Sequence, residues 1–138
     1  MFILDTNVIS ELRNGKPNPS SKVLNWSKHQ PVGQLFLSVV TIFELERGVL
    51  LLERKTPPQG LVLRSWLDGV KLKFRDRVLP YTFETAVACA ALHIPNPRPE
   101  RDAIIAATAL QHGFTVVTRN VNDFAGTGVA VINPWDSQ

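Results

Sequence analysis

The sequence contains few of the residues that commonly mark a metal-thiolate site, a zinc site or a cross-linked fold. Its 138 residues include one cysteine, Cys89, and three histidines. A single cysteine excludes a disulfide within the chain and is typical of a cytoplasmic protein. His29, His93 and His112 lack the spacing of a zinc site. Because Cys89 lies in a short apolar segment, we predict that it is a small core residue and not a nucleophile.

Several recognisable segments and motifs are also missing. No apolar run is long enough to cross a bilayer, so we predict no association with a membrane. The chain has no strict glycine-rich phosphate loop and no serine in a nucleophile elbow. An aspartyl-phosphate phosphatase needs a second acid two residues after Asp5, where this chain has Asn7. No repeat, low-complexity tract or long linker divides the sequence, and we therefore predict one domain over residues 1–138.

Composition and charge indicate a globular protein but say little about its partners. Hydrophobic residues make up 44% of the chain, which is enough for one sizeable core. The net charge of +3 and the pI of about 9.4 are weak indications of a nucleic-acid partner. Basic residues are concentrated between Arg47 and Arg77, where most of them are expected on solvated helix faces.

Short apolar runs alternate with longer segments of helical periodicity along the whole chain. We predict strands at residues 2–4, 35–40, 78–81, 115–117 and 129–132. The segments between them have the spacing of amphipathic helices. This alternation predicts an α/β fold with right-handed βαβ crossovers. The expected architecture is a parallel sheet of about five strands with helices on both faces.

Capping residues and prolines predict where the helices begin. Thr6 or Asn7 is expected to cap the first helix, and Thr82 a later one. Thr41 has Glu44 three residues on, the pattern of a capping box, and is expected to open a helix. Residues 56–60 are rich in proline and are predicted to form a loop.

Four acids lie after predicted strands or at the start of a helix: Asp5, Glu44, Asp102 and Asp123. Each has a structural explanation as a turn residue, a capping-box partner, an acid that complements the helix dipole, or a helix cap. Asp5 is the exception, because a charge directly after a buried strand is costly without a partner. The carboxyl ends of parallel strands meet at one edge, so three of the acids are expected to lie together there. Spacing alone does not place Asp102 with them.

Converging carboxylates repel one another unless a cation neutralises them. Oxygen ligands of this kind suit a hard ion such as Mg²⁺ or Mn²⁺. Such an ion polarises phosphoryl oxygens and activates water for attack on a phosphodiester. The acids therefore indicate metal-dependent phosphodiester hydrolysis.

The sequence resembles PIN-domain proteins, and specifically VapC-type toxins of the FitB-like group. The matching segments follow the family order and cover nearly the whole chain: LDTNVISEL (4–12), SVVTIFELERG (38–48), DAIIAATALQHG (102–113), TVVTRNVNDF (115–124) and VINPW (131–135). The resemblance implies a parallel α/β sandwich and a Mg²⁺- or Mn²⁺-dependent endoribonuclease. It also implies a VapB-like antitoxin that inhibits the enzyme, and a homodimer.

The resemblance also implies roles for individual residues. Asp5, Glu44 and Asp102 match the three core acids, and we expect all three to be catalytic and to bind the metal. Many family members have a fourth acid where this chain has Asn120, and the nearest acid is Asp123. Which of these two residues fills the fourth position is left open.

Polar residues beside the acids are further candidates for the site. Thr118 and Asn120 match motif positions and are expected to orient ligands or water, and Thr6 and Asn7 adjoin Asp5. Arg47 follows Glu44 by about one helical turn and is expected to bind a phosphate; the alternative is a salt bridge on the same helix.

We predict a cytoplasmic toxin that cleaves RNA and is paired with a VapB-like antitoxin. One alternative is a structure-specific DNA nuclease with the same metal site. Another is a catalytically silent module that binds nucleic acid or phosphate, such as a receiver domain. A receiver domain needs a lysine after a later strand, and none follows residues 129–133.

Overall fold

A computed structural model describes residues 1–136 of the chain. The strands are β1 (Phe2–Leu4), β2 (Leu35–Ser38), β3 (Val78–Leu79), β4 (Thr115–Val117) and β5 (Val131–Ile132). The helices are α1 (Thr6–Glu11), α2 (Ser21–Lys28), α3 (Val39–Lys55), α4 (Pro57–Phe74), α5 (Phe83–Leu92) and α6 (Glu100–His112). Short 3₁₀ turns cover Val32–Gln34 and Val121–Phe124. Within residues 1–136, no helix combines the length and the apolar character needed to cross a membrane.

The five strands form one parallel sheet in the order β3-β2-β1-β4-β5. β1 lies at its centre, with Phe2 in register with Leu35 of β2 on one side and with Thr115 of β4 on the other. The predicted parallel sheet is confirmed. Because every strand runs the same way, all carboxyl ends lie along one edge, which is called here the carboxyl edge.

Helices cover both faces of the sheet, as predicted. Side chains alternate along a strand, so Ile3 and Leu4 of β1 point to opposite faces. Leu4 and Val117 pack against α1 to α4, in a core that includes Val8, Val23, Leu45, Val49, Leu67, Val70 and Phe74. Ile3 and Val116 pack against α6, through Ile105, Ala106 and Ala109. Helix α5 packs outside α6, where the buried Cys89 contacts the small residues Ala103 and Ala107.

Two helices begin earlier than expected, because a different residue caps each of them. The side chain of Asp5, and not Thr6 or Asn7, caps α1 by accepting from the backbone N–H of Thr6. Ser38 caps α3 through the N–H of Val40, so Thr41 lies inside the helix and forms no capping box. The prediction for Thr82 is confirmed, since its side chain accepts from the N–H of Thr85 at the start of α5.

The predicted proline-rich loop at residues 56–60 is wrong, because α4 already begins at Pro57. Proline suits the first position of a helix, where its missing N–H would have had no partner. Gly60 lies in the first turns of α4, directly against α3. A Cβ atom at Gly60 would come within 2.5 Å of the Cα of Glu53. Glycine therefore permits the close approach of these two helices.

An ion-pair network also joins α3 and α4. Arg64 of α4 donates to Glu46 at 2.7 Å and to Glu53 at 3.0 Å, and Lys71 donates to Glu46 at 2.6 Å. The hydrogen bonds from Arg64 and Lys71 lower the pKa of Glu46 from 4.5 to about 2. The ionised form of Glu46 is therefore favoured in the folded state, which stabilises the packing of α3 on α4.

We predict that Glu46→Gln lowers the melting temperature at pH 7. The free energy of unfolding should fall by roughly 1 kcal/mol or less, because the carboxylate is partly solvated. Glu46 has a depressed pKa in the folded state, so its stabilisation is complete above pH 4.5 and is lost as the pH falls toward 2. The difference between the two proteins should thus be smaller at pH 3 than at pH 7, as measured by thermal melts.

Asp68→Asn is the matched control, because Asp68 is an exposed acid on α4 that forms no ion pair within residues 1–136. Its melting temperature should follow that of the unmodified protein at both pH values. An equal loss of stability for Glu46→Gln at pH 7 and pH 3 would contradict the role assigned to its charge.

Candidate active site

Asp5 follows the central strand at the carboxyl edge and is fully buried. Its backbone N–H continues the pairing with β4, donating to Val117 O at 2.9 Å. Its carboxylate accepts from the Thr118 hydroxyl and from the Thr6 N–H, each at 2.7 Å. These donors offset part of the cost of burying a charge at this position.

Glu44 reaches the same edge from the second turn of α3. Its Oε1 accepts from the hydroxyl of Thr6 at 2.6 Å. Since Thr6 also donates its backbone N–H to Asp5, one residue of α1 contacts both acids. Glu44 is thus directed toward the other acids of the site, and it takes no part in a helix cap.

Asp102 is the third residue of α6, and its side chain is 6% exposed. α6 runs back across the sheet before Gly113, with φ of +70°, turns the chain into β4. The start of α6 therefore lies at the carboxyl edge and its end at the opposite edge. This crossover places Asp102 with the other acids, which the spacing in the sequence could not show.

Arg101 joins the three acids, which are called here the acidic cluster. Its Nε donates to Glu44 Oε2 at 2.6 Å and its Nη1 to Asp102 Oδ1 at 2.5 Å. Its Nη2 forms an ion pair with Asp5. A single guanidinium thus contacts all three carboxylates, each through a different nitrogen atom.

Arg101 was not identified from the sequence. The available signal was a basic residue immediately before the helix-initial acid Asp102. That pattern is common on solvated helix ends, so it does not distinguish a surface arginine from one that points into the site. The contact with Asp5 joins residues that lie 96 positions apart in the chain.

Burial and the neighbouring charges shift the pKa values within the site. Burial raises the pKa of Asp102, and the charges of Asp123 and Asp5 add to that effect. The charge and the hydrogen bond of Arg101 act in the opposite direction without cancelling the shift. Burial disfavours the charged form of Arg101 itself, but Glu44 and Asp5 outweigh this and raise the pKa of the guanidinium. Arg101 therefore remains a cation within the cluster.

Asp123 lies beside the acidic cluster but is not bonded to it. It is exposed within the 3₁₀ turn Val121–Phe124, and its charge reaches Asp102, whose pKa it raises. Asn120 donates its backbone N–H to the Thr118 hydroxyl at 3.0 Å. A polar cleft here is lined by Arg119, Asn120, Val121, Asn122, Asp123, Asn133 and Asp136. Asp123 and Asn120 thus share a wall of one cleft, and either could fill the fourth position.

The other polar candidates support the acids or remain at the surface. Thr118 connects β4 to Asp5, and Asn7 donates to the Thr118 hydroxyl at 3.5 Å. Arg47 is exposed and lies over the ring of Phe43, with 5.1 Å from its guanidinium carbon to the ring centroid. Its predicted phosphate contact stays a prediction, and among residues 1–136 Arg47 forms no salt bridge on its own helix.

The acidic cluster has the chemistry of a site for a hard divalent cation. All its donors are carboxylate oxygens, and one cationic group already contacts all three side chains. In residues 1–136, however, no three acidic, histidine or cysteine side chains lie close enough to share an ion as they stand. The acids surround the guanidinium of Arg101, which occupies the space between them.

The fold and the site define a parallel α/β domain whose carboxylates gather at the carboxyl edge of the sheet. The profile of the PIN domain matches residues 2–128. The chain belongs to the PIN-domain family, as its sequence motifs indicated. Nucleases of this family that are of the VapC type generally depend on a divalent metal.

Several curated relatives match nearly the whole chain, including a VapC ribonuclease and a toxin. VapC ribonuclease Y4jK of Sinorhizobium fredii is 36% identical, with 99% of each chain covered. Toxin FitB of Neisseria gonorrhoeae is also 36% identical, with 98% of this chain and 99% of the relative covered.

Solved structures share the fold. FitAcB from Neisseria gonorrhoeae superposes with a TM-score of 0.89 at 34% identity, covering 99% of this chain and 100% of that one. A toxin–antitoxin complex from Klebsiella pneumoniae gives a TM-score of 0.68 at 25% identity, covering 97% and 98%.

We predict that Asp102→Asn raises the melting temperature in the presence of a chelator. Burial raises the pKa of Asp102, so its charge is a cost to the metal-free fold. That cost is absent below the ordinary pKa of 3.8 and grows as the pH rises through the folded-state value. The increase should therefore be larger at pH 7 than at pH 3.5. Arg101 keeps two acidic partners in the variant, so no charge is left unpaired.

Thermal melts with chelator and with millimolar Mg²⁺ measure this effect. Mg²⁺ should raise the melting temperature of the unmodified protein by mass action and that of Asp102→Asn much less. If Asp102 only complements the helix dipole, the variant should melt lower, by roughly 0.3–1 kcal/mol, and should respond to Mg²⁺ like the unmodified protein. That result would exclude Asp102 as a metal ligand.

Proposed function

We propose that this protein is the toxin of a toxin–antitoxin pair and acts as a metal-dependent endoribonuclease. The observation that carries the proposal is the convergence of three carboxylates, one directly after β1 and the others on α3 and α6, on one cationic group at the carboxyl edge. Three separate elements bring these charges together against their mutual repulsion, which is a cost that structural acids do not require.

The names of the relatives favour this function over the alternatives from the sequence. Relatives that match nearly the whole chain include a VapC ribonuclease and a toxin. Neither name indicates a DNA nuclease or a silent phosphate-binding module. The substrate proposed here is therefore RNA, and the reaction is hydrolysis of its phosphodiester bonds.

In the proposed mechanism, Asp5 and Asp102 are the main metal ligands and Glu44 completes the set. The ion is Mg²⁺, with Mn²⁺ as a substitute, because the donors are all carboxylate oxygens. When bound, such an ion polarises the phosphoryl oxygen and activates water. Thr118 and Thr6 keep the carboxylate of Asp5 in one orientation through their hydrogen bonds.

The surrounding residues are proposed to act on water and on the RNA backbone. Asp123, the acid of the neighbouring cleft, orients the attacking water, and Asn120 contributes a polar group to the same wall. Arg47 lies on α3 about one turn after Glu44, where its exposed guanidinium can reach a phosphate from solvent.

A VapB-like antitoxin is the proposed inhibitor. The solved toxin–antitoxin complex from Klebsiella pneumoniae, which shares this fold, supports such a partner. We propose that the antitoxin brings a basic side chain to the acidic cluster, because three carboxylates and one guanidinium leave an excess of negative charge there. Inhibition would then follow because a second cationic group at the cluster keeps the metal ion away from the carboxylates.

A homodimer in the cytoplasm completes the proposal. A chain with two protein partners needs two contact surfaces, and exposed apolar side chains occur in two regions, one at α5 and one on α3 and α4. On and beside α5 they are Tyr81, Phe83, Val87 and Ile94; on α3 and α4 they are Phe43, Leu50, Leu51, Leu61 and Val62. Exposed apolar groups of this kind are typical of protein interfaces. The cytoplasm is where an RNA-cleaving toxin meets its substrate.

We predict that the purified protein cuts total RNA in Mg²⁺ and that excess chelator abolishes cutting. Asp5→Asn should reduce the rate to near background, because it removes a buried ligand. Asp68→Asn removes an exposed acid elsewhere and should cut normally. Gel analysis of RNA, with single- and double-stranded DNA in parallel, measures the outcome.

Cleavage of DNA without cleavage of RNA would favour the structure-specific DNA nuclease instead. Cutting that survives both the chelator and Asp5→Asn would show that the acidic cluster is not the active site.

We predict that Asp123→Asn clearly reduces RNA cleavage and that Asn120→Ala reduces it less. Asp123 is the acid whose charge reaches Asp102, whereas Asn120 is tied to the site through its backbone N–H. Initial rates under saturating Mg²⁺ distinguish the two. A normal rate for Asp123→Asn would show that Asp123 is only a surface acid. A normal rate for Asn120→Ala would show that Asn120 does not orient ligands or water.

A further inference from the structure

Arg101 lies among the three carboxylates that are the proposed metal ligands. Its three guanidinium nitrogens each contact a different carboxylate of the acidic cluster, at 2.5 Å for Asp102 and 2.6 Å for Glu44. The third contact is the ion pair between Nη2 and Asp5. Because the guanidinium contacts all three carboxylates, it fills the space in which a second cation would have to bind.

The charges explain why this arrangement is stable without metal. Asp5 is fully buried and Asp102 nearly so, and a buried carboxylate is costly without a cation beside it. A guanidinium stays protonated throughout the accessible pH range, so Arg101 cannot leave the cluster by losing its proton. It can leave only by rotating its side chain, which is 27% exposed and so has access to solvent.

We propose that Arg101 is an internal counter-ion that stabilises the metal-free site and must move out when a divalent ion enters. This inference rests on the proposed metal-dependent function. The guanidinium contacts all three carboxylates and lies between them, so the guanidinium and the ion are alternative occupants. Arg101 then acts as a positioning residue that lowers the affinity of the site for metal.

The competition has a defined thermodynamic form. A metal ion that binds only when Arg101 has left the cluster has its apparent affinity reduced by the fraction of molecules in that state. Arg101 lies at the second position of α6, next to Asp102, so its side chain can rotate while the backbone that carries Asp102 stays in place. The site therefore needs no change of fold to switch between the two occupants.

A purely structural role for Arg101 would have the opposite effect on metal binding. If Arg101 held the acids in the geometry that the metal needs, its removal would weaken metal binding. If it competes with the metal, its removal strengthens binding and destabilises the metal-free protein. Cleavage rates do not separate these cases well, because a released guanidinium is also a good phosphate ligand. Metal binding and stability are therefore the measurements of choice.

The experiment is calorimetric titration of Mg²⁺ and Mn²⁺ into purified protein and into Arg101→Met. We expect Arg101→Met to bind both ions more tightly, roughly tenfold or more, which is within the usual range of coupling between two ligands. In chelator it should melt at a lower temperature than the unmodified protein, and saturating Mg²⁺ should close most of that gap.

Arg75→Met is the matched control. Arg75 follows α4 and precedes β3, at the edge of the sheet opposite the acidic cluster, and is largely exposed. Arg75→Met removes one positive charge, as Arg101→Met does, but contacts no residue of the acidic cluster. The metal affinity of Arg75→Met should therefore equal that of the unmodified protein. Arg101→Lys covers the case in which Arg101→Met does not fold without metal. A lysine ammonium lacks the planar fork of arginine, so this variant should bind metal more tightly by a smaller factor.

Nuclear magnetic resonance of isotope-labelled arginine observes the movement directly. The Nε–H signal of Arg101, assigned by its loss in Arg101→Lys, should be distinct in chelator. It should shift to the position of solvent-exposed arginines as Mg²⁺ saturates the site. An unchanged signal at saturation, or equal or weaker metal binding by Arg101→Met, would overturn the inference.

These outcomes are separable from the proposed function. A protein that cuts RNA in Mg²⁺ but whose affinity for the ion is unchanged in Arg101→Met keeps the nuclease assignment and loses the counter-ion. A protein that shows the exchange of Arg101 for metal but cuts no RNA keeps the counter-ion and loses the nuclease assignment.

Discussion

A buried carboxylate at the end of the central strand is the constraint on which the acidic cluster depends. Asp5 has no exposed surface, and its charge must be met by groups that belong to other elements. Thr118 at the end of β4 and Thr6 at the start of α1 donate hydrogen bonds to the carboxylate, and Arg101 of α6 forms an ion pair with it. The need to satisfy one charge thus joins two strands and two helices at the carboxyl edge.

Packing on the two faces of the sheet holds these elements in place. α6 begins with the acid of the site and continues with Ile105, Ala106 and Ala109, which are buried against Ile3 and Val116. Any shift of Asp102 would therefore disturb the core on that face. On the other face, Gly60 lets α4 lie closely against α3, the helix that carries Glu44. Both acids that come from helices are positioned by apolar contacts, which are insensitive to the charges they bring together.

The predicted starts of α3 and α4 were wrong for two different reasons. A capping residue is chosen by where the strand before it stops, and a continuous apolar run does not show that end. Leu35 to Val40 looked like one strand, yet the ladder ends at Ser38, whose hydroxyl then caps α3. Pro57 looked like a loop residue although it occupies the first position of a helix. In both places the local pattern allowed two readings, and tertiary contacts selected one.

The sequence by itself determined the α/β class, the five parallel strands, the family and the identity of the acids. These follow from periodicity and from motifs, which are local properties of the chain. Spacing did not place Asp102 with Asp5 and Glu44. The family resemblance implied that it joins them, and the tertiary structure gives the physical reason, because α6 crosses the sheet with its start at the carboxyl edge. Only the tertiary structure showed that Arg101 lies among them. A contact between residues 96 positions apart is set by how the elements pack, and no spacing within a motif records it.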